Sequence, residues 1–424
     1  MANSPGSADL LVVGGGVIGL AVAWRASQRG MAVTVLERET IGCGTSRVAA
    51  GMLAPVAEAE FGQAARRVLD LGLRSADMWP AFAQELQEAS GQRIGFLQTG
   101  TLLVARDADE ARELERQIAF RDSLGLATNR LRPSQARERE PALAPTLRLA
   151  LEAPDDHSVD PRLVLAALRK ACESVGVQLR EHAPVARIEV DAAGERVTGV
   201  TLGRLAGGSA ASRGGRESAA RPDQPESASP PDSGELVSGE HVVVASGAWS
   251  GQIEGAAERM PVRPVRGQLL RLRDPGGAGL LSSVVRFQGG YLVPRAGGRY
   301  VLGATVEERG FDVQPDAGGV YELLREAIEV VPGVRELKVE ELCAGLRPGT
   351  PDNAPAIGRG ALEGLTWATG HHRNGILLAP LTAQLVVQLL AGGRPADTLL
   401  AACDPRRFAA YDPPPAAAPS AVLS

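Results

Sequence analysis

Two hydrophobic periods alternate along this chain, and each change of period marks a new element. Leu10-Leu11-Val12-Val13 is a continuous apolar run, the pattern of a parallel strand covered on both faces. After it the pattern predicts a helix over Val17 to Gln28, a stop at Gly30 and a second strand over Ala32 to Leu36. Helical spacing returns over Phe61 to Ser90, and again over Ala108 to Leu124 and Asp316 to Val331. Asp160 and Pro161 suit the cap and first position of a helix running to Ser174, with Leu163, Val164, Ala167, Leu168 and Ala171 on one face and Gly176 as its stop. Short apolar strands are expected at Gly100 to Ala105, Val177 to Leu179, Val185 to Val190, Val197 to Leu202, His241 to Ala245 and Leu365 to Gly370. Strict alternation over Pro261 to Arg273, Gly290 to Arg295 and Arg299 to Thr305 predicts an antiparallel sheet in a second domain, with a hairpin turn at Gly297-Gly298. The stretch from Pro133 to Pro145 reads as connection, and a closing helix runs through Leu390.

Between the first strand and the first helix, Gly14, Gly16 and Gly19 occupy the G-x-G-x-x-G positions. The first makes a tight turn, the second lets backbone approach a pyrophosphate, and the third lets the helix pack on the strand. Phosphates would face the free N–H groups of the helix N-terminus. Glu37 ends the second strand, where a carboxylate accepts both ribose hydroxyls of an adenosine and repels a 2′-phosphate. The motif alone leaves FAD and NAD both open.

Thr45 and Ser46 lie in a small-residue stretch, Ile41 to Pro55, and their hydroxyls can reach phosphate or ribitol oxygens. Ser246 and Gly247 follow the His241 to Ala245 strand, at the end where open parallel sheets bind ligands. The strand, Asn374-Gly375 loop and helix that close the chain again present N–H groups to a ligand. His157 and His182 read as exposed loop residues, and the adjacent His371 and His372 cannot face one metal from a strand or helix.

Composition narrows the class. The 424 residues carry 44% hydrophobic and 22% charged side chains and a net charge of -5, which suits a globular protein and gives no attraction to nucleic acid or an anionic membrane. Cys43, Cys172, Cys343 and Cys403 are scattered without metal-ligand spacing and are expected to be free thiols of a reducing cytosol. No apolar run reaches the roughly 18 residues of a transmembrane helix and no leader pattern opens the chain, so a cytoplasmic protein is expected. Residues 203–239 hold almost no large apolar side chain and read as a disordered insertion, and 404–424 as a flexible tail.

Several stretches together resemble the glycine oxidase branch of the D-amino-acid oxidase family, the FAD enzymes associated with the thiazole half of thiamine. They are the Gly14 fingerprint, Ala49-Ala50-Gly51-Met52-Leu53-Ala54-Pro55, Val159-Asp160-Pro161, Gly303 to Glu307, Ala344 to Pro351 and Gly370 to Pro380. The resemblance implies an α/β fold: a doubly wound, Rossmann-like FAD-binding domain over 8–82, 152–255 and 341–396. A discontinuous α+β substrate domain over 83–151 and 256–340 would be built on a mixed, largely antiparallel sheet.

It further implies that Arg347 and Tyr291 hold a substrate carboxylate, that Arg373 adds a second arginine and that Met52 lines the pocket. Cofactor contacts are implied for Gly14, Gly16, Val17, Ile18, Gly19, Glu37, Arg38, Thr45, Ser46, Ala49, Ala50, Gly51, Met52 and Val185. Ser246, Gly247, Trp249, His372, Arg373, Asn374, Gly375 and Ile376 complete that set, His372 standing where the family usually has an aromatic residue. FAD would be non-covalent, although Cys343 lies near the attachment position of related sarcosine oxidases.

The implied reaction is oxidative deamination of glycine, sarcosine or small D-amino acids by molecular oxygen, giving the imine or glyoxylate with ammonia and hydrogen peroxide. The partners implied are a homo-oligomer, such as the tetramer related oxidases often form, and a thiazole synthase that takes the product. Rival readings are a sarcosine or D-amino-acid oxidase or dehydrogenase, and a flavin-binding subunit without turnover.

Overall fold

The computed structural model describes residues 8–203, 234–277, 279–393 and 398–411. Two eight-stranded sheets organise the chain. In the first, Ala8–Val13 pairs in parallel with Val33–Leu36 on one side and with Leu236–Val244 on the other. Gln178–Arg180 extends the sheet beyond Val33–Leu36, while Leu365–Thr369 extends it beyond Leu236–Val244. Side chains alternate between faces. Leu10 and Val12 therefore enter a core with the helices Val17–Ser27, Gln63–Ser90, Pro161–Ser174 and Ala379–Leu390. Leu11 and Val13 enter another with Ile188, Val197 and Val200. That second face is covered by an antiparallel meander of Val185–Val190, Val197–Leu202 and the start of Leu236–Val244, in place of helices.

The second sheet runs in the order Lys338–Gly349, Arg263–Arg273, Arg299–Gly303, Gly290–Arg295, Val284–Phe287, Thr101–Ala105, Leu149–Ala153, Asn129–Leu131. It is antiparallel except where Val284–Phe287 meets Thr101–Ala105. Leu270, Leu272, Leu292 and Leu302 turn to one face and pack with Leu323 and Ala327 of the helix Ala317–Val330. Leu269, Val284, Val293 and Val301 turn to the other, with Ala50 of the first unit. Both ends of this alternation follow from period two.

Several expectations need correction. Pro133 to Pro145 is more than connection: Pro133 takes the first helical turn of Pro133–Arg139, where its missing N–H costs nothing. Asp160 does cap its helix, accepting from the Arg162 N–H at 2.9 Å, yet Leu163 is 42% exposed and Leu165 and Cys172 take the inner face instead. Residues 236–239, inside the expected disordered insertion, belong to the strand Leu236–Val244, paired in register with Val197–Leu202. Residues 204–233 lie outside the described residues. In the tail, Arg407 donates to Asp352 at 2.9 Å and Phe408 is buried, so the chain to residue 411 is fastened, while 412–424 lie outside the description. His157 is half-buried in the two-residue strand His157–Ser158, paired with Met52–Leu53, where an exposed loop was expected.

Finally, residues 341–349, expected with the first unit, pair with Arg263–Arg273 of the second sheet, as residues 152–153 pair within Thr101–Ala105. Residues 83–90, expected with the second unit, continue the helix Gln63–Ser90, whose buried side chains enter the first core. The strand carrying Arg347 thus belongs to the sheet that faces the glycine turn.

Candidate active site

A cavity of about 1270 Å³ separates the carboxyl ends of the first sheet's parallel strands from the inner face of the second sheet. One end is built from the glycine turn. Gly14 has φ +110° and a Cβ there would sit 2.6 Å from the Ala245 carbonyl oxygen, so no larger residue can make this crossing. Gly16 passes under Ser46, whose Oγ accepts from the Val17 N–H at 3.1 Å. The Glu37 carboxylate accepts from the Gly15 N–H at 2.7 Å and the Glu39 N–H at 3.1 Å, which fixes it at the cavity wall. No acidic residue stands in the first turn of Val17–Ser27, leaving that helix N-terminus favourable to phosphate. A glycine cradle, a helix N-terminus and a fixed acid along one wall are what a dinucleotide requires.

The middle of the cavity is closed by the small-residue stretch. Thr45 Oγ1 donates to the Leu346 carbonyl at 2.9 Å, so this hydroxyl ties the loop to the strand of Arg347. Gly51 has φ +71°, and a side chain there would run into the Val159 carbonyl. Ala49, Ala50 and Met52 line the same wall. Opposite them, Val185, Ser246, Gly247 and Trp249 reach the cavity, and the Arg38 guanidinium lies 3.5 Å from the Trp249 ring centroid. Trp249 in turn meets Phe311 at 5.4 Å, so the loop after Thr305 touches the first unit here.

At the other end, register decides what meets. Arg286 and Tyr291 are directly paired, and Val265 and Arg347 likewise, so all of them project from one face of the second sheet with Leu269 and Val293. Two glycines make the space: a Cβ on Gly267 would overlap the Arg347 guanidinium, and one on Gly303 would come within 2.8 Å of the Tyr291 hydroxyl. Arg347 Nη1 donates to the carbonyls of Thr305 at 3.0 Å and Arg266 at 3.3 Å, which anchors one corner of its fork. Burial raises the Tyr291 pKa, against the opposing pull of Arg347, so the phenol keeps its proton and can donate.

Arg373 lines the cavity with one nitrogen 3.6 Å from Glu58 and another 2.6 Å from Glu60. His372, beside it, has its pKa pushed down to about 3 by burial and by Arg347, Arg373 and Arg263, so it enters as a neutral ring. His371 behind it is fully buried, bonded to the Thr382 hydroxyl at 3.0 Å.

Of the expected residues, Gly19 and Asn374 do not reach the cavity. Gly19 packs against the Gly14 carbonyl, and the Asn374 N–H donates to His371 to form the turn that delivers Gly375 and Ile376. Cys343 also lies outside the lining and packs with Leu269 and Ala50, its thiol pKa raised by burial. Sequence reasoning missed Arg286 and Glu58. Arg286 lies in the strand Val284–Phe287, which the sequence pattern did not announce, and Glu58 sits in a turn with no periodic signal.

That turn is held from both sides. Asp156, completely buried, accepts from the Val56 and Ala57 N–H groups at 3.1 and 2.5 Å, and burial lifts its pKa to about 7. Arg121, equally buried, donates to the Val56 and Ala57 carbonyls at 2.9 Å each.

Comparison with known proteins agrees with this geometry. The family model described as DAO, FAD dependent oxidoreductase, matches residues 9–389. A glycine oxidase from Geobacillus kaustophilus is 35% identical over 386 residues, 90% of this chain and 92% of that protein. The bifunctional protein ThiO/ThiG of Synechocystis sp. is 33% identical over 414 residues, 96% of this chain but 55% of the longer protein. The crystal structure of the Geobacillus kaustophilus glycine oxidase superposes with a TM-score of 0.80 at 33% identity, covering 94% of this chain and 98% of that one.

Proposed function

The chain belongs to the D-amino-acid oxidase family of FAD-dependent oxidoreductases, and from that premise we propose that it oxidises glycine and similarly small amines, such as sarcosine or short D-amino acids, at the carbon beside nitrogen. FAD is the cofactor of the family, and the glycine cradle and Glu37 fit it. The net reaction is glycine + O₂ + H₂O → glyoxylate + NH₃ + H₂O₂.

One observation carries the reading: Arg347 and Tyr291 converge at the far end of the cavity from the phosphate cradle, each in a space left by a glycine. When bound, FAD supplies a two-electron acceptor for the hydride equivalent leaving the α-carbon. Arg347 grips the substrate carboxylate through its fork, and Tyr291, held protonated, donates to the same group. This fixes the α-carbon in one place relative to the cofactor. Met52, Leu269 and the neutral His372 line the cavity without adding charge. An amine bound among the guanidinium groups is favoured in its neutral form, so no dedicated base is assigned. Non-covalent attachment of FAD is supported by the position of Cys343 away from the lining.

The imine or glyoxylate would pass to thiazole formation in thiamine synthesis, supported by the relative that joins a homologous segment to further chain in one protein. Oxygen uptake and peroxide release measured together with glycine, sarcosine, D-alanine and D-proline test the assignment. Equal amounts of both in proportion to substrate loss are expected; substrate loss only with an added dye as acceptor would make the protein a dehydrogenase.

A further inference from the structure

A single-carboxylate amine uses Arg347 and Tyr291 and leaves the neighbouring wall of the cavity without a ligand. That wall is cationic. Arg286 is the cross-strand partner of Tyr291 and reaches the same cavity. Its Nη1 is enclosed and lies 3.1 Å from Glu58, the one ion pair of Arg286 among the described residues. The same Glu58 carboxylate serves Arg373 at 3.6 Å, so one anion is shared by two guanidinium groups. Glu60, the further partner of Arg373, is 61% exposed and stands at the rim. His372 is neutral and offsets nothing. An Arg fork matches a planar acid group through parallel bonds.

We propose that Arg286, with Arg373 beside it, forms a second acid subsite, and that the preferred substrates are small amines bearing two acidic groups, one on Arg347 and Tyr291 and the other on Arg286. The inference rests on the Arg347 and Tyr291 assignment above. Glu58, ion-paired with both guanidinium groups, offsets their mutual repulsion and keeps them side by side. A substrate with a cationic substituent would favour Glu58, but in the cavity lining it would meet Arg286 and Arg373 against that one carboxylate.

The test uses matched ligands on the FAD-loaded enzyme. Methoxyacetate and diglycolate differ by one carboxylate and cannot be oxidised as amines, so each is titrated through its perturbation of the flavin spectrum. D-alanine and D-aspartate form the corresponding oxidisable pair, followed by anaerobic flavin reduction. In at least one pair the diacid is expected to gain tenfold or more in Kd or kcat/KM, with the gain abolished by Arg286→Met and partly kept by Arg286→Lys. Diacids equal to or weaker than their monoacid partners in both pairs would overturn the subsite, as would a gain that Arg286→Met leaves intact. Should Arg286→Met lose FAD, the wild-type pairs and Arg286→Lys still decide. If methoxyacetate perturbs the flavin and D-alanine reduces it while the diacids gain nothing, the subsite alone fails; if none of the four ligands acts, the amine-oxidase reading fails with it.

Discussion

The two ends of the cavity are built by different means. At the phosphate end, Gly14, Gly16 and Glu37 come from 24 consecutive residues, and the groups that matter are backbone N–H donors and the spaces glycines leave. At the substrate end, Arg347, the Arg286–Tyr291 hairpin and Glu58 come from three distant segments, and the groups that matter are side chains, the arginines and the tyrosine brought to one sheet face by register. A local motif tolerates little substitution because its geometry has one solution. A convergent site can lose one side chain and keep its shape, because the strands that carry it are held by other contacts.

The largest effect should fall on the local end. Gly14→Val forces a branched residue into φ +110° against the Ala245 carbonyl, a backbone cost of about 1–3 kcal/mol before the clash itself. Purified protein is expected to lack flavin absorption and to melt several degrees lower; a variant that retains full flavin content would break the comparison.

Next comes Arg347→Met at the convergent end. Losing two charge-assisted bonds of about 1.5–3 kcal/mol each should lower kcat/KM for glycine by about 10²–10⁴, with flavin content unchanged. Loss of flavin in parallel would show that the two ends are not separable. Tyr291→Phe removes one hydrogen bond to the carboxylate, worth about 1.5–3 kcal/mol, and should cost roughly tenfold to a hundredfold, read from the same kinetics.

The smallest effect concerns the support behind the substrate end. Burial pushes the His371 pKa from 6.5 to about 3, so the native state binds fewer protons than the unfolded chain between those values. Its neutral form contributes stability above pH 6.5 that is lost as pH falls toward 3. His371→Gln should flatten the fall in melting temperature across that interval, and identical slopes in the two proteins would argue against a buried neutral ring.

The same contrast explains what could be read from the sequence. The first strand, turn, helix and Glu37 were legible because each step is short-range and each residue type has one physical task. The alternation over Arg263–Arg273 and Gly290–Arg295 announced a sheet, but not which strands would pair. The placing of residues 341–349 against Arg263–Arg273, which brings Arg347 to Tyr291, follows from long-range register that no local pattern carries. Arg286 was hidden for that reason, and Glu58 because its turn is shaped by Asp156 and Arg121 from elsewhere in the chain. Leu236–Val244 was read as beginning only at His241 because Ser238, Gly239 and Glu240 interrupt the apolar run in its first half.

The central claim is that one cavity holds FAD at its glycine end and presents a small amine to it from Arg347 and Tyr291. The anaerobic visible spectrum of the purified holoprotein, recorded before and after glycine, tests this most directly. Bleaching of the flavin bands by glycine, retained flavin but no bleaching in Arg347→Met, is the predicted result. Flavin bands that persist unchanged with glycine, sarcosine, D-alanine and D-proline alike would contradict the account.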